Sequence, residues 1–267
     1  MFRLLSISVF LGWTFLQAQQ GTPFIYKEAD GCLLEMEVCT PPPSENNTSQ
    51  PAILFIQGGG WFNSDKSVFY NLATYFALQG YVTFSFDYRN REDHHATPFD
   101  ALEDSKSAMR YIRKNAHVWN IDPTKIYAVG VSAGGHMAMA SALIDGFEAK
   151  EEDLSISSRP DGVVLLNPVL DNGPQGYGYG RIKERYKEFS PFYNVKPQAP
   201  PTLILGGAMD PLAKPDMLIA FRKQMLDAGN RCELTLYPNT SHNMLMKFNA
   251  SNYKPIINRI ERFLKSM

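Results

Sequence analysis

Ile126-Tyr127-Ala128-Val129-Gly130-Val131-Ser132-Ala133-Gly134-Gly135-His136-Met137-Ala138-Met139-Ala140 is the stretch from which the rest of the chain can be read. Its first four residues, apolar, β-branched and aromatic, read as a buried strand, and residues 135–140 read as a packed helix. Between them Gly130-x-Ser132-x-Gly134 makes a tight turn. Glycine and serine are common enough for the bare pattern to arise by chance, and the flanking strand and helix are what make it informative. In that setting it describes a nucleophile elbow, with Ser132 strained at the tip and glycines on either side because a side chain there would collide with neighbouring backbone.

Outward from this turn, strand and helix patterns alternate. Ala52-Ile53-Leu54-Phe55-Ile56 is a continuous apolar run, as expected of a central strand covered on both faces, and it ends at Gln57-Gly58-Gly59-Gly60-Trp61. A helix over residues 68–79 is closed by Gly80 at the position a left-handed cap requires. Tyr81–Tyr88 is the next strand. Thr97-Pro98-Phe99-Asp100 carries helix-start signals, and Ala101, Ser105, Ala108, Ile112 and Ala116 then recur at helical spacing. The elbow helix runs to about Ile144. Further strands are expected at 162–166, 202–205 and 233–237, with helices at 216–228 and 252–265. Upstream, Phe24–Lys27, a turn at Asp30-Gly31 and Cys32–Cys39 predict a hairpin. The pattern predicts an α/β fold with a mostly parallel central sheet flanked by helices. Residues 171–200, with Gly176-Tyr177-Gly178-Tyr179-Gly180, form an insertion that reads either as a small lid or pocket wall or as a disordered loop.

The chain has 267 residues, is 44% hydrophobic and carries a net charge of -1. That suits one domain of about 250 residues and gives no basic surface for nucleic acid or polybasic patch for a membrane. The first residues are set apart: a basic start at Met1-Phe2-Arg3, an apolar stretch from Leu4 to Leu16 and a polar segment with a small residue at Ala18. A signal peptide over 1–18 is expected, leaving a catalytic domain over 19–267 that is secreted or periplasmic without stable membrane insertion; a retained anchor is the alternative. Cys32, Cys39 and Cys232 are an odd set. Cys32 and Cys39, seven apart on one strand, face opposite sides beyond bridging distance, so no disulfide framework is expected. No zinc spacing accompanies them, and neither a metal nor an organic cofactor is indicated. Asn46, Asn47, Asn239 and Asn249 begin N-x-S/T sequons.

A serine hydroxyl is a weak nucleophile until a histidine takes its proton, and that histidine needs an acid to fix its tautomer. Elbow folds place the three in the order serine, acid, histidine. Of five histidines, His94, His95 and His117 precede Ser132, and His136 lies one helical turn beyond it, suited to packing or pocket lining. His242 is left, in a loop after the last strand. For the acid, Asp210 follows a strand at its carboxyl end, where open α/β sheets place their sites, with Asp171 as runner-up. Asp216 and Asp227 read as helix start and solvated helix face. Acyl transfer develops charge on the carbonyl oxygen, and the Gly58 and Gly59 backbone amides, completed by that of Ala133, are the candidate oxyanion donors. No phosphate-loop pattern is present.

Gly58-Gly59-Gly60-Trp61, Asp87-Tyr88-Arg89, Asn120-Ile121-Asp122-Pro123, Gly130 through His136, Pro200-Pro201-Thr202-Leu203-Ile204 with Asp210-Pro211-Leu212, and Tyr237 through His242 occur in an ordered series. That series resembles α/β-hydrolases of the hormone-sensitive-lipase-like and carbohydrate-esterase type, nearest the exported acetylxylan and feruloyl esterases, over roughly residues 25–265. The resemblance implies serine esterase activity on acetylated or feruloylated carbohydrate, with Ser132, Asp210 and His242 as the triad. One position departs: the family's histidine before the glycines is Gln57 here. A glutamine amide can still brace backbone, so activity is expected to survive. Asp87 and Arg89 are expected to form a buried structural pair. Trp61, Phe62, Tyr177 and Tyr179 are candidates for stacking on sugar or acyl groups, or for plain pocket-wall packing. A peptidase or arylformamidase on the same triad, and a non-catalytic binding protein of the same fold, are the other readings; no triad member is missing, which disfavours the last.

Overall fold

The computed structural model describes residues 19–43, 48–244 and 253–267. The expected signal peptide and the sequons at Asn46, Asn47 and Asn249 lie outside the described residues. Among the described residues nine strands form one sheet: β1 (Gln19–Gln20), β2 (Phe24–Ala29), β3 (Cys32–Thr40), β4 (Gln50–Ile56), β5 (Val82–Phe86), β6 (Ile121–Val131), β7 (Gly162–Leu166), β8 (Thr202–Gly207) and β9 (Cys232–Tyr237). Their order is β1-β3-β5-β4-β6-β7-β8-β9, with β2 paired to β3. Strands β4 to β9 are parallel wherever they pair; β1, β2 and β3 join antiparallel. The predicted hairpin is present, with both turn residues in the left-handed region, Asp30 at φ 51° and Gly31 at φ 76°.

The helices are α1 (Tyr70–Leu78), α2 (Arg91–His94), α3 (Pro98–Lys114), α4 (Ala133–Leu143), α5 (Tyr179–Ile182), α6 (Tyr186–Phe189), α7 (Pro215–Asp227) and α8 (Tyr253–Leu264). Alternation along β4 explains why its run is wholly apolar: Ala52, Leu54 and Ile56 join the core shared with α3, α4 and α7, whereas Ile53 and Phe55 join the core shared with α1 and α8. The start of α3 is a capping box, with Asp100 Oδ2 accepting from the Thr97 amide at 2.7 Å and Thr97 Oγ1 accepting from the Asp100 amide. Gly80 follows α1 at φ 93°, as a left-handed cap demands. All three cysteines are free thiols.

The chain runs from β4 to β5 on one side and then crosses to β6 on the other, so strand order reverses at β4. Parallel sheets bind ligands at such a switch, outside the carboxyl ends of the strands. Register pairs Ile56 with Gly130, which sets the Gly58 loop beside Ser132.

One expectation is corrected here. Asp87 and Arg89 do not pair with each other: Lys66 holds Asp87, and Arg89 reaches α3, where Asp104 takes its backbone amide at 2.8 Å and its fork at 2.9 and 2.8 Å. The chain has left the strand by residue 87, and a planar guanidinium finds its two-point match on a carboxylate placed across from it. Of the two readings left open for residues 171–200, the structure takes the ordered insertion. These residues form α5, α6 and 3-10 turns anchored by Ile182 and Phe189, both fully buried.

Candidate active site

Strand β6 runs directly into α4 through Ser132, whose backbone sits at φ 55°, ψ -117°. Such a conformation is unfavourable for a residue with a Cβ and persists only where surroundings over-determine it. Here they do. The Ser132 amide donates to the Leu166 carbonyl at 2.9 Å, and its own carbonyl accepts from the His136 and Val169 amides at 3.0 and 3.1 Å. The glycines are needed for space: a Cβ on Gly130 would meet the Gly134 carbonyl oxygen at 2.3 Å, and one on Gly134 would meet the Ile56 carbonyl oxygen at 2.0 Å.

The ends of β8 and β9 interlock. The Ala208 amide donates to the Tyr237 carbonyl and the Met209 amide to the Thr240 carbonyl, both at 2.9 Å, and this brings the two following turns together. Asp210 Oδ2 lies 2.7 Å from His242 Nδ1, and His242 Nε2 lies 2.9 Å from Ser132 Oγ. An ionised carboxylate can only accept, so Nδ1 carries the proton and Nε2 is left free to accept from the serine hydroxyl. Burial opposes charge on Asp210, yet the hydrogen bond from His242 and the amides of Leu212 and Ala213 outweigh it and hold the carboxyl below its ordinary value. The runner-up acid, Asp171, instead accepts from the Gly173 amide at 2.7 Å inside the insertion.

Gly58 lies against the nucleophile: a Cβ on it would stand 3.2 Å from Ser132 Cβ. Ala133 is the first residue of α4, where the backbone amide has no partner within the helix and points along the positive end of its dipole. Gln57 braces the loop as expected, with Nε2 donating to the Phe86 carbonyl at 2.8 Å. Trp61 is a correction. The positive φ at Gly59, Gly60 and Trp61 folds the indole beneath the loop, 1% exposed, against His136, Tyr177 and Phe189. It packs and presents no face to a ligand. Phe62 is 45% exposed, and Tyr177 and Tyr179 are half-buried. His136 is fully buried, and that burial pushes its pKa down to about 3, so it sits neutral with Nε2 donating to the Phe189 carbonyl.

Two further residues shape the site and were not assigned from the sequence. Tyr88, wholly buried, places its hydroxyl 2.6 Å from the Gly58 carbonyl oxygen and 3.3 Å from that of Gln57. In a trans peptide the carbonyl and the following N–H point opposite ways, so holding these two carbonyls aims the Gly58 and Gly59 amides. Burial raises the phenol pKa, which keeps it a donor. Asn167 donates to the His242 carbonyl and accepts from the Gly207 amide, both at 2.8 Å. The only signal for it was a polar residue directly after an apolar strand and before Pro168.

Residues 36–173, more than half of the chain, match the family model described as BD-FAE. The chain belongs to the BD-FAE family. This places it among the α/β-hydrolases of serine-esterase type, as the sequence resemblance implied. Among solved structures the apo form of Thermogutta terrifontis esterase 2 is similar at a TM-score of 0.86 and 31% identity, covering 92% of this chain and 94% of that one. The acetylxylan esterase of Xylanibacter ruminicola is 27% identical over 85% of this chain and 47% of its own length. Esterase LipC of Mycobacterium tuberculosis is 28% identical over 60% of this chain and 44% of its own length. The chain therefore spans about half the length of these curated relatives. Among the described residues of this BD-FAE protein no helix is long and apolar enough to cross a membrane, and no cluster of metal-ligating side chains occurs.

Proposed function

We propose that this protein hydrolyses carboxylic esters through an acyl-enzyme, with Ser132 as nucleophile, His242 as general base and acid, and Asp210 as its orienting carboxylate. The observation that carries the reading is the unbroken hydrogen-bonded chain Asp210–His242–Ser132, at 2.7 and 2.9 Å. Ser132 Oγ attacks the ester carbonyl carbon while its proton passes to His242 Nε2; the carbonyl oxygen gains the charge. The amides of Gly58, Gly59 and Ala133 receive that oxyanion. Collapse expels the alcohol, protonated by His242, and water repeats the sequence on the acyl group to free the acid.

The substrate class in this reading is a small-molecule or carbohydrate ester, bearing acetyl or feruloyl groups on plant-type glycan. The similarity to an acetylxylan esterase supports it, as do the exposed Phe62 ring and the half-buried Tyr177 beside the loop. The composition of residues 1–18 supports export, to the periplasm or the medium.

Hydrolysis of p-nitrophenyl acetate should fall at least 1,000-fold in Ser132→Ala with the circular dichroism spectrum unchanged, on the order expected for loss of a triad member. Unchanged turnover would remove the nucleophile. Release assays on acetylated xylan, methyl ferulate and an acyl-chain series then fix the substrate, and preference for long-chain acyl esters over both glycan-type substrates would overturn the carbohydrate reading.

A further inference from the structure

The glycine loop departs from ordinary backbone at three successive residues: Gly59 at φ 106°, Gly60 at φ 63° and Trp61 at φ 58°. A run of this kind relaxes unless each peptide plane is tied. Tyr88 ties the planes before Gly58 and Gly59. The Phe62 amide, donating to the Gly59 carbonyl at 3.0 Å, ties the next. The plane between Gly60 and Trp61 is held from far away in the chain, by the insertion: Arg181 Nη1 donates to the Gly60 carbonyl.

Arg181 is built into this place. Its guanidinium lies 5.4 Å from the centroid of the Trp61 ring and 5.6 Å from that of Tyr177. The Tyr177 hydroxyl comes so near Gly60 that a Cβ there would stand 2.5 Å from it. Arg89, Arg110 and Arg113 are each matched by carboxylates, but no acidic side chain among the described residues pairs with Arg181. Its charge is left to act on the loop.

We propose that Arg181 is a positioning residue for the oxyanion, through which the 171–200 insertion sets the aim of the Gly58 and Gly59 amides. The inference rests on those amides being the donors. A charge-assisted hydrogen bond holds the Gly60 carbonyl, keeps the strained run from flipping and brings a positive charge to the same loop as the amides that receive the developing negative one. A misplacement of about 1 Å at such donors is enough to cost on the order of a hundredfold in rate.

The test uses Arg181→Met, which keeps the stem packed on the two rings but removes donor and charge, and Arg181→Lys, which keeps charge and a single donor. For p-nitrophenyl acetate, kcat should fall about 10- to 100-fold in the methionine variant with KM within about twofold, and less in the lysine variant. Inhibition by a trifluoromethyl ketone, which forms a tetrahedral oxyanion adduct with the serine, should weaken by the same factor as kcat/KM. Turnover within twofold of wild type overturns the proposal. So does a rise in KM alone, which would make Arg181 a substrate contact, or a fall in kcat with inhibitor affinity unchanged, which would make it a folding residue. Should the methionine variant not fold, the lysine variant decides on the same readouts. Absence of Ser132-dependent hydrolysis in the wild type would instead sink the esterase reading itself.

Discussion

Replacing Gly134 with alanine adds one carbon where the structure has no room for it. Its Cβ would lie 2.0 Å from the Ile56 carbonyl oxygen and 2.5 Å from that of Gln57. Carbon and oxygen do not approach closer than about 3.3 Å in ordinary contacts, so backbone must move by about 1 Å. Both oxygens belong to the segment that leads straight into Gly58, and neither is the end of a flexible side chain. The displacement therefore reaches the amides proposed to receive the oxyanion. Overpacking of this kind costs about 1–3 kcal/mol of stability, and the misaligned donors about a hundredfold in kcat/KM. Urea denaturation and p-nitrophenyl acetate kinetics on Gly134→Ala measure both. Gly180→Ala is the control: nothing lies within 4 Å of its Cβ, and its φ is ordinary. It should change stability by less than about 0.5 kcal/mol. If Gly134→Ala keeps kcat/KM within threefold and stability within the same 0.5 kcal/mol, the steric account of the elbow is wrong.

Tyr88→Phe removes one hydroxyl from a buried site and leaves the Gly58 carbonyl without its donor. Stability should drop about 1–3 kcal/mol, and kcat about tenfold or more with KM unchanged; a variant with wild-type kcat would show that the loop needs no such support. His136 predicts a pH effect on stability. Its native pKa of about 3 lies below the ordinary 6.5, so between those values the unfolded chain binds one proton more than the native one. Stability then rises with pH through this window, and acidification from pH 7 to 4.5 should cost on the order of 2–3 kcal/mol from this residue. His136→Gln, which retains a donor for the Phe189 carbonyl, should flatten the difference. Parallel urea midpoints for the two proteins across that range would rule it out.

What the chain alone determined was local. An apolar run that joins two cores, a capping box at Thr97, a left-handed glycine after a helix and a strand that turns into a helix at Ser132 all depend on residues a few positions apart, whose spacing fixes which face they share. Even the trio Ser132, Asp210 and His242 was legible, because an elbow fold takes its members in the order serine, acid, histidine and His242 is the histidine left once those before Ser132 and the helical His136 are set aside. Tertiary structure decided what depends on contacts between segments that no spacing rule links. Trp61 turned inward because three positive φ angles send its ring under the loop, Arg89 passed over Asp87 for a carboxylate on α3, and Gly60 found its donor 121 residues away in Arg181. A side chain settles where the folded surroundings meet its hydrogen bonds and cover its apolar surface, and those surroundings exist only once the layers have packed.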